Sequence, residues 1–129
     1  MSLERVILDE AYLVGVNLYN AYLYGASFKY AELKYANLRY ARLQDANFSN
    51  ADLERAELNG AKLRNTNFRD ANLRGASLRG ADLTWADLSW ADLDGADFSG
   101  ADLTYANLSY ARTDGTNFNG ANTEKTRFK

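Results

Sequence analysis

Read in fives, the chain repeats one pattern almost from end to end. A large apolar residue stands at 3, 8, 13 and every fifth position to 128; of these 26 positions, 24 hold Leu or Phe, and only Thr113 and Thr123 depart. Two residues earlier the position is Ala in 20 of 26 units. All nine glycines, from Gly15 to Gly120, fall two residues after the large position. Each unit therefore has five slots: small apolar, mostly polar, large apolar, mostly polar, and a fifth of mixed kind. No insertion breaks the register, so the chain is an internal repeat throughout.

A helix cannot use this pattern. Five residues at ~100° each advance successive leucines by about 140°, winding them around the cylinder with no shared face. A flat strand cannot use it either, because its inward side chains recur every second residue. Extended backbone with a corner in each unit does fit. Slots one and three face inward, slots two and four face outward, and slot five turns the corner and resets the parity. Coils stacked about 4.8 Å apart would pair their backbones and leave unpaired edges only at the two ends.

The phenylalanines set the number of sides. Phe28, Phe48, Phe68 and Phe128 fall on one line of twenty-residue spacing, and Phe98 and Phe118 on another. A fifteen-residue turn would scatter these six over three faces, whereas a twenty-residue turn sets them on two opposite faces. Trp85 with Tyr105 and Trp90 with Tyr110 repeat the offset at neighbouring corners. The expectation is an all-β quadrilateral β-helix of about six coils, roughly 30 Å tall at ~4.8 Å per coil. Each buried Leu or Phe contributes ~1.5–3 kcal/mol, offset mostly by backbone ordering. Alanine suits slot one because the square cross-section has no room for a second bulky layer. Val6, Val16, Thr66, Thr116 and Thr126 are the tolerated exceptions. Slot five mixes Gly with Tyr, Trp, Asn, Asp and Arg. Bulky residues disfavour positive φ, so many corners are expected to be type I rather than type II turns.

Composition narrows the function. The 129 residues suit one domain, 1–129. There is no Cys, His or Pro, which removes disulfides, the usual zinc ligands, the commonest general base and the best nucleophile. The opening MSLERVILDEAYLVGV has acidic residues inside its only apolar stretch and no basic region ahead of it. No signal peptide or membrane span is read there, and a cytoplasmic location is expected. The net charge of −2 is uneven: residues 1–80 carry 11 basic and 9 acidic groups, whereas 81–129 carry 4 and 8.

The run ADLTWADLSWADLDGADFSGADL, residues 81–103, is a near-uniform set of A-[D/N]-L-x-x units. It resembles the pentapeptide-repeat family, and the resemblance extends over residues 3–128. The resemblance implies a right-handed quadrilateral β-helix, in a family mostly without an assigned biochemical role. A minority of that family are DNA mimics that bind type II topoisomerases and protect them from quinolones. This chain departs from that minority: it has no inserted loops, no evident C-terminal dimerising helix and little net negative charge.

Function must then lie in the outward slots. Trp85, Trp90, Tyr105 and Tyr110 frame Asp87, Ser89, Asn107 and Ser109, a composition suited to a protein hot spot or a sugar-stacking platform. The same rings would equally serve to stack coil on coil and shield corner backbone. Ile7, Tyr12, Val14, Tyr19, Tyr22 and Tyr24 occupy outward slots that are polar elsewhere, beside an unpaired coil edge; they point equally to N-terminal or end-to-end self-association and to simple packing of the terminal segment. Arg64, Arg69, Arg74 and Arg79 put one arginine on each side of a coil, which spreads charge instead of gathering it for phosphate. Asp82, Asp87, Asp92, Asp94, Asp97, Asp102 and Asp114 form an acidic section. Stacking Asp82 on Asp102 and Asp94 on Asp114 should raise carboxyl pKa values or recruit a cation. The expectation is a non-catalytic scaffold for an unidentified protein partner, with no catalytic, cofactor or metal residues and no direct nucleic-acid or membrane binding. A DNA-mimic regulator of a topoisomerase is the alternative, and a glycan or small-ligand binder the third.

Overall fold

The computed structural model describes residues 2–129. Each unit contributes a single parallel bridge, not a strand of several residues, because a corner follows every short extended stretch. The 22 bridges join slot-two residues twenty positions apart, from Ser2 with Tyr22 to Asn107 with Arg127. Four five-residue sides complete one coil, and the chain is a β-helix solenoid. The sides are named here by their inward residues in one coil: Leu83, Leu88, Leu93 and Phe98.

Backbone accounting explains the unit. A slot-three N–H donates to the slot-two carbonyl of the next coil, as Leu58 does to Ser77 at 2.7 Å. A slot-two N–H donates to slot one of the preceding coil, as Ser77 does to Ala56 at 3.0 Å. The slot-one N–H closes the corner turn on slot three of the preceding side, as Ala61 does on Leu58 at 3.0 Å. The slot-five N–H reaches slot four of the next coil, as Gly60 reaches Arg79 at 2.9 Å.

That last bond overturns the expectation of type I corners. All 25 corners, Arg5 to Lys125, have positive φ: 57–63° in the 16 non-glycine residues and 64–72° in the nine glycines. Positive φ confined to the third residue of a hydrogen-bonded turn defines type II. Left-handed backbone costs a non-glycine residue ~1–2 kcal/mol. A type I turn would reverse the middle peptide, unmake the ladder bond and strand its donor, at ~1–3 kcal/mol at each corner. Trp85, Trp90 and Tyr105 accordingly keep their ladder bonds to Thr104, Ser109 and Glu124.

Slot four remains, and it accounts for the Asp/Asn preference of slot two. All 14 Asp and Asn residues in slot two, from Asn17 to Asn122, accept the slot-four N–H two residues on through Oδ1. Where slot two holds Ser27, Ser77 or Arg112, the donor turns to Asp9, Asn59 or Asp94 of the preceding coil. The acidic slot is a device for satisfying backbone.

The core is continuous from Leu23 to Leu108, with its leucines and phenylalanines at 0–1% exposure. Phe28, Phe48 and Phe68 stack at 4.7 and 5.1 Å between centroids, and Phe98 stacks on Phe118 at 5.5 Å. The three slot-one threonines fit because each hydroxyl donates to a slot-three carbonyl of the preceding coil: Thr66 to Leu43, Thr116 to Leu93 and Thr126 to Leu103.

Candidate functional site

The Leu88 side carries the aromatic corners. Trp85 stacks on Tyr105 at 4.4 Å and Trp90 on Tyr110 at 4.5 Å, with interplanar angles of 4° and 17°. All four rings are about half exposed or more. Left-handed corners throw these side chains outward, so the two columns stand as rims along one face. Between them Asp87 is bridged to Asn107, and their Oδ1 atoms hold the amides of Ser89 and Ser109. Both serines are buried, whereas Ser49 and Ser99, followed by Asn50 and Gly100, are only partly buried. The Ser109 hydroxyl has no hydrogen-bond partner among the described residues.

Arg69 joins this face, which a sequence reading as part of a solvated belt did not anticipate. Its guanidinium donates to the Ser89 hydroxyl at 3.1 Å and lies 3.7 Å from Asp70. The twenty-residue offset between 69 and 89 was the available signal. The rest of the arginine coil leans the same way: Arg64 donates to Thr84, Arg74 pairs with Asp92 and Asp94, and Arg79 lies 4.0 Å from Asp97.

The acidic section is correspondingly committed. Asp82 does sit below Asp102, but one oxygen of each accepts both the amide and the hydroxyl of a threonine, Thr84 or Thr104. Asp94 accepts from Arg112 at 2.9 Å, Arg74 at 3.3 Å and the Asp114 amide at 2.9 Å. Asp97 is held below the usual carboxylate range, by the Ser99 hydroxyl first and the Ser99 amide next. Among the described residues no three Asp, Glu, His or Cys side chains converge to hold a metal ion.

The N-terminal patch is divided. Tyr19 meets Tyr40 edge-on at 5.8 Å and lies under Arg39, Tyr22 lies under Arg42 at 4.7 Å, and Tyr24 hydrogen-bonds Asp45. Ile7 and Tyr12 stay 74% and 75% exposed, and Val14 is exposed beside them. Opposite the aromatic rims, the Phe98 side is edged by glycine columns, Gly75, Gly95 and Gly115 on one flank and Gly80, Gly100 and Gly120 on the other. A shallow groove follows the second column past Asn59, Arg79 and Ser99 to a wall formed by Tyr40. No helix among the described residues is long and apolar enough to cross a membrane.

A closed stack of five-residue sides, with apolar slots filled and outward slots variable, defines a β-helix repeat protein. Its repeats match family descriptions over most of the sequence: "Pentapeptide repeat region" covers residues 1–76 and "Pentapeptide repeats", in eight copies, covers residues 81–120. The chain belongs to the pentapeptide-repeat family. Among solved structures it is similar to Rfr23, a pentapeptide repeat protein of the cyanobacterium Cyanothece 51142, at TM-score 0.70 and 33% identity over 72% of this chain. It spans 64% of that protein's length. It also resembles full-length QnrB1, a plasmid-mediated fluoroquinolone resistance protein, at TM-score 0.58 and 20% identity, over 97% of this chain and 76% of that one. At that identity the likeness is one of fold. No curated protein matches the chain.

Proposed function

We propose that the chain is a non-catalytic scaffold presenting its Leu88 side to a protein partner, as one right-handed four-sided rod of about six coils. In this reading it acts in the cytoplasm and needs no cofactor. The supporting observation is the pair of half-exposed aromatic columns, Trp85 on Tyr105 and Trp90 on Tyr110, bordering a floor of Asp87, Asn107, Ser89 and Arg69. Rigid aromatic rims around a polar floor with satisfied amides suit a binding hot spot. Within each pair the rings cover each other's faces, which disfavours a sugar platform, since sugars stack on ring faces.

The alternative is a DNA-mimic regulator of a type II topoisomerase, supported by the fold shared with QnrB1 and the slot-two aspartates. Against it, Asp82, Asp87, Asp92, Asp97 and Asp102 each commit an oxygen to backbone, and Asp92, Asp94 and Asp97 face arginines. Two assays separate the readings. A partner retained in about 0.5 M salt, where charge steering is screened, should be lost on Trp85→Ala with Trp90→Ala while melting stays cooperative. Titration into a DNA gyrase supercoiling reaction should leave activity and quinolone poisoning unchanged; inhibition or relief at micromolar protein would favour the mimic.

A further inference from the structure

The two ends of the solenoid are chemically unlike. In the first described coil the N–H and C=O of Ile7, Tyr12 and Asn17 have no backbone partner among the described residues. Both groups of each residue face away from the second coil, as their equivalents Ser27, Glu32 and Asn37 show by bonding the first. The core is also open here, since Leu3, Val6, Leu8, Leu13, Val16 and Leu18 are only partly covered. At the other end Thr113 and Thr123 replace Leu, and Arg112, Asp114, Glu124 and Lys125 are exposed around them.

We infer that the N-terminal coil is a docking edge for the same coil of a second copy, giving a closed two-fold dimer. A residue with N–H and C=O both free on one side is half of an antiparallel hydrogen-bonded pair, and an identical edge supplies the other half. A two-fold axis across the solenoid brings two such edges together with their chains antiparallel. Ile7, Tyr12 and Val14 then lie across the join from the partner's apolar residues, where β-branched and aromatic side chains pair well. Head-to-tail stacking would set this apolar coil against the charged C-terminal one and bury ions without partners. The dimer closes and does not extend.

Charge sets a further condition. Residues 2–20 hold three acids, Glu4, Asp9 and Glu10, against Arg5, so two such coils repel weakly and salt should strengthen the contact. The test is sedimentation of the 129-residue chain by analytical ultracentrifugation, alone and as Ile7→Ser with Tyr12→Glu. Ser and Glu already stand in these positions one coil further on, as Ser27 and Glu32, so the fold should accept them. Expected is a dimer that tightens with salt, at least ~10-fold weakened in the double variant at unchanged melting temperature, and unaltered by Asn122→Lys at the far end. A monomer at every concentration, growth beyond two copies, or dissociation by Asn122→Lys alone would overturn the proposal.

Discussion

The Leu88 and Phe98 sides share coils, backbone and turn type, yet one is rimmed and the other flush. On the first, slot five holds Trp85, Trp90, Tyr105 and Tyr110 at φ of 62–63°; on the second it holds Gly75, Gly80, Gly95, Gly100, Gly115 and Gly120 at 64–72°. The corner geometry is set by the ladder bond, so residue choice there is not needed to make the turn. It decides only what stands above the surface. Stacking of ~0.5–1.5 kcal/mol per aromatic pair offsets part of the left-handed backbone cost on the rimmed side, ~1–2 kcal/mol for each of the two residues. Glycine avoids that cost on the flush side and leaves its backbone uncovered.

The strongest way to break the comparison is from beneath. Leu58 lies on the Phe98 side with no exposure, and Leu58→Lys would bury an unpaired charge. Loss of several kcal/mol should abolish cooperative melting of its coil and both neighbours, taking Gly60, Gly75 and Gly80 with them, while the Trp85 and Trp90 rims begin one coil further on. Wild-type melting would mean that slot three does not face inward.

A smaller effect separates positions within one glycine column. A Cβ on Gly60 would lie 2.5 Å from the Tyr40 ring, whereas around Gly80 nothing lies within 4 Å. Gly80→Ala should cost only the left-handed term, ~1–2 kcal/mol. Gly60→Ala should cost measurably more by displacing Tyr40; equal losses in chemical denaturation would show that the ring contributes nothing there.

Acid should weaken both sides slightly. Asp9, on the Leu88 side, is held below the usual range by the Ser27 hydroxyl first; Asp97, on the Phe98 side, by the Ser99 hydroxyl. A carboxyl depressed by folding stabilises above its unfolded value, near pH 4, and that stability is lost as pH falls through the folded one. Melting temperature should decline below about pH 4, with each exposed group contributing little. A melting temperature rising over that range would reverse the assignment.

The smallest expected change is none. Replacing Asp82, Asp87, Asp92, Asp97 and Asp102 by Asn keeps every Oδ1 acceptor while removing five charges from a net −2, leaving +3. Melting should shift by no more than a few tenths of a kcal/mol equivalent, whereas Asp87→Ala should lose ~0.5–1.5 kcal/mol with its bond to Ser89. A collapse of the Asn variant would show that slot two needs charge rather than an acceptor.

Much of this was legible in the chain. Leu and Phe every fifth residue define the inward slot, and the spacing of Phe28, Phe48 and Phe68 gives the twenty-residue coil seen in the bridges. The same offset places Trp85 under Tyr105, because stacking in a solenoid follows sequence arithmetic. What the offset could not supply was the direction of peptides and of long side chains. Type II corners at Trp and Tyr arise because a turn peptide must serve the coil above, a demand invisible within one unit. The slot-two aspartates read as a charged section until the slot-four amides show what they hold. Arg69 joins the aromatic face, and Tyr22 and Tyr24, still exposed, reach Arg42 and Asp45, because flexible side chains choose partners among neighbouring coils. Periodicity determined which residues are neighbours; three-dimensional packing decided which of them interact.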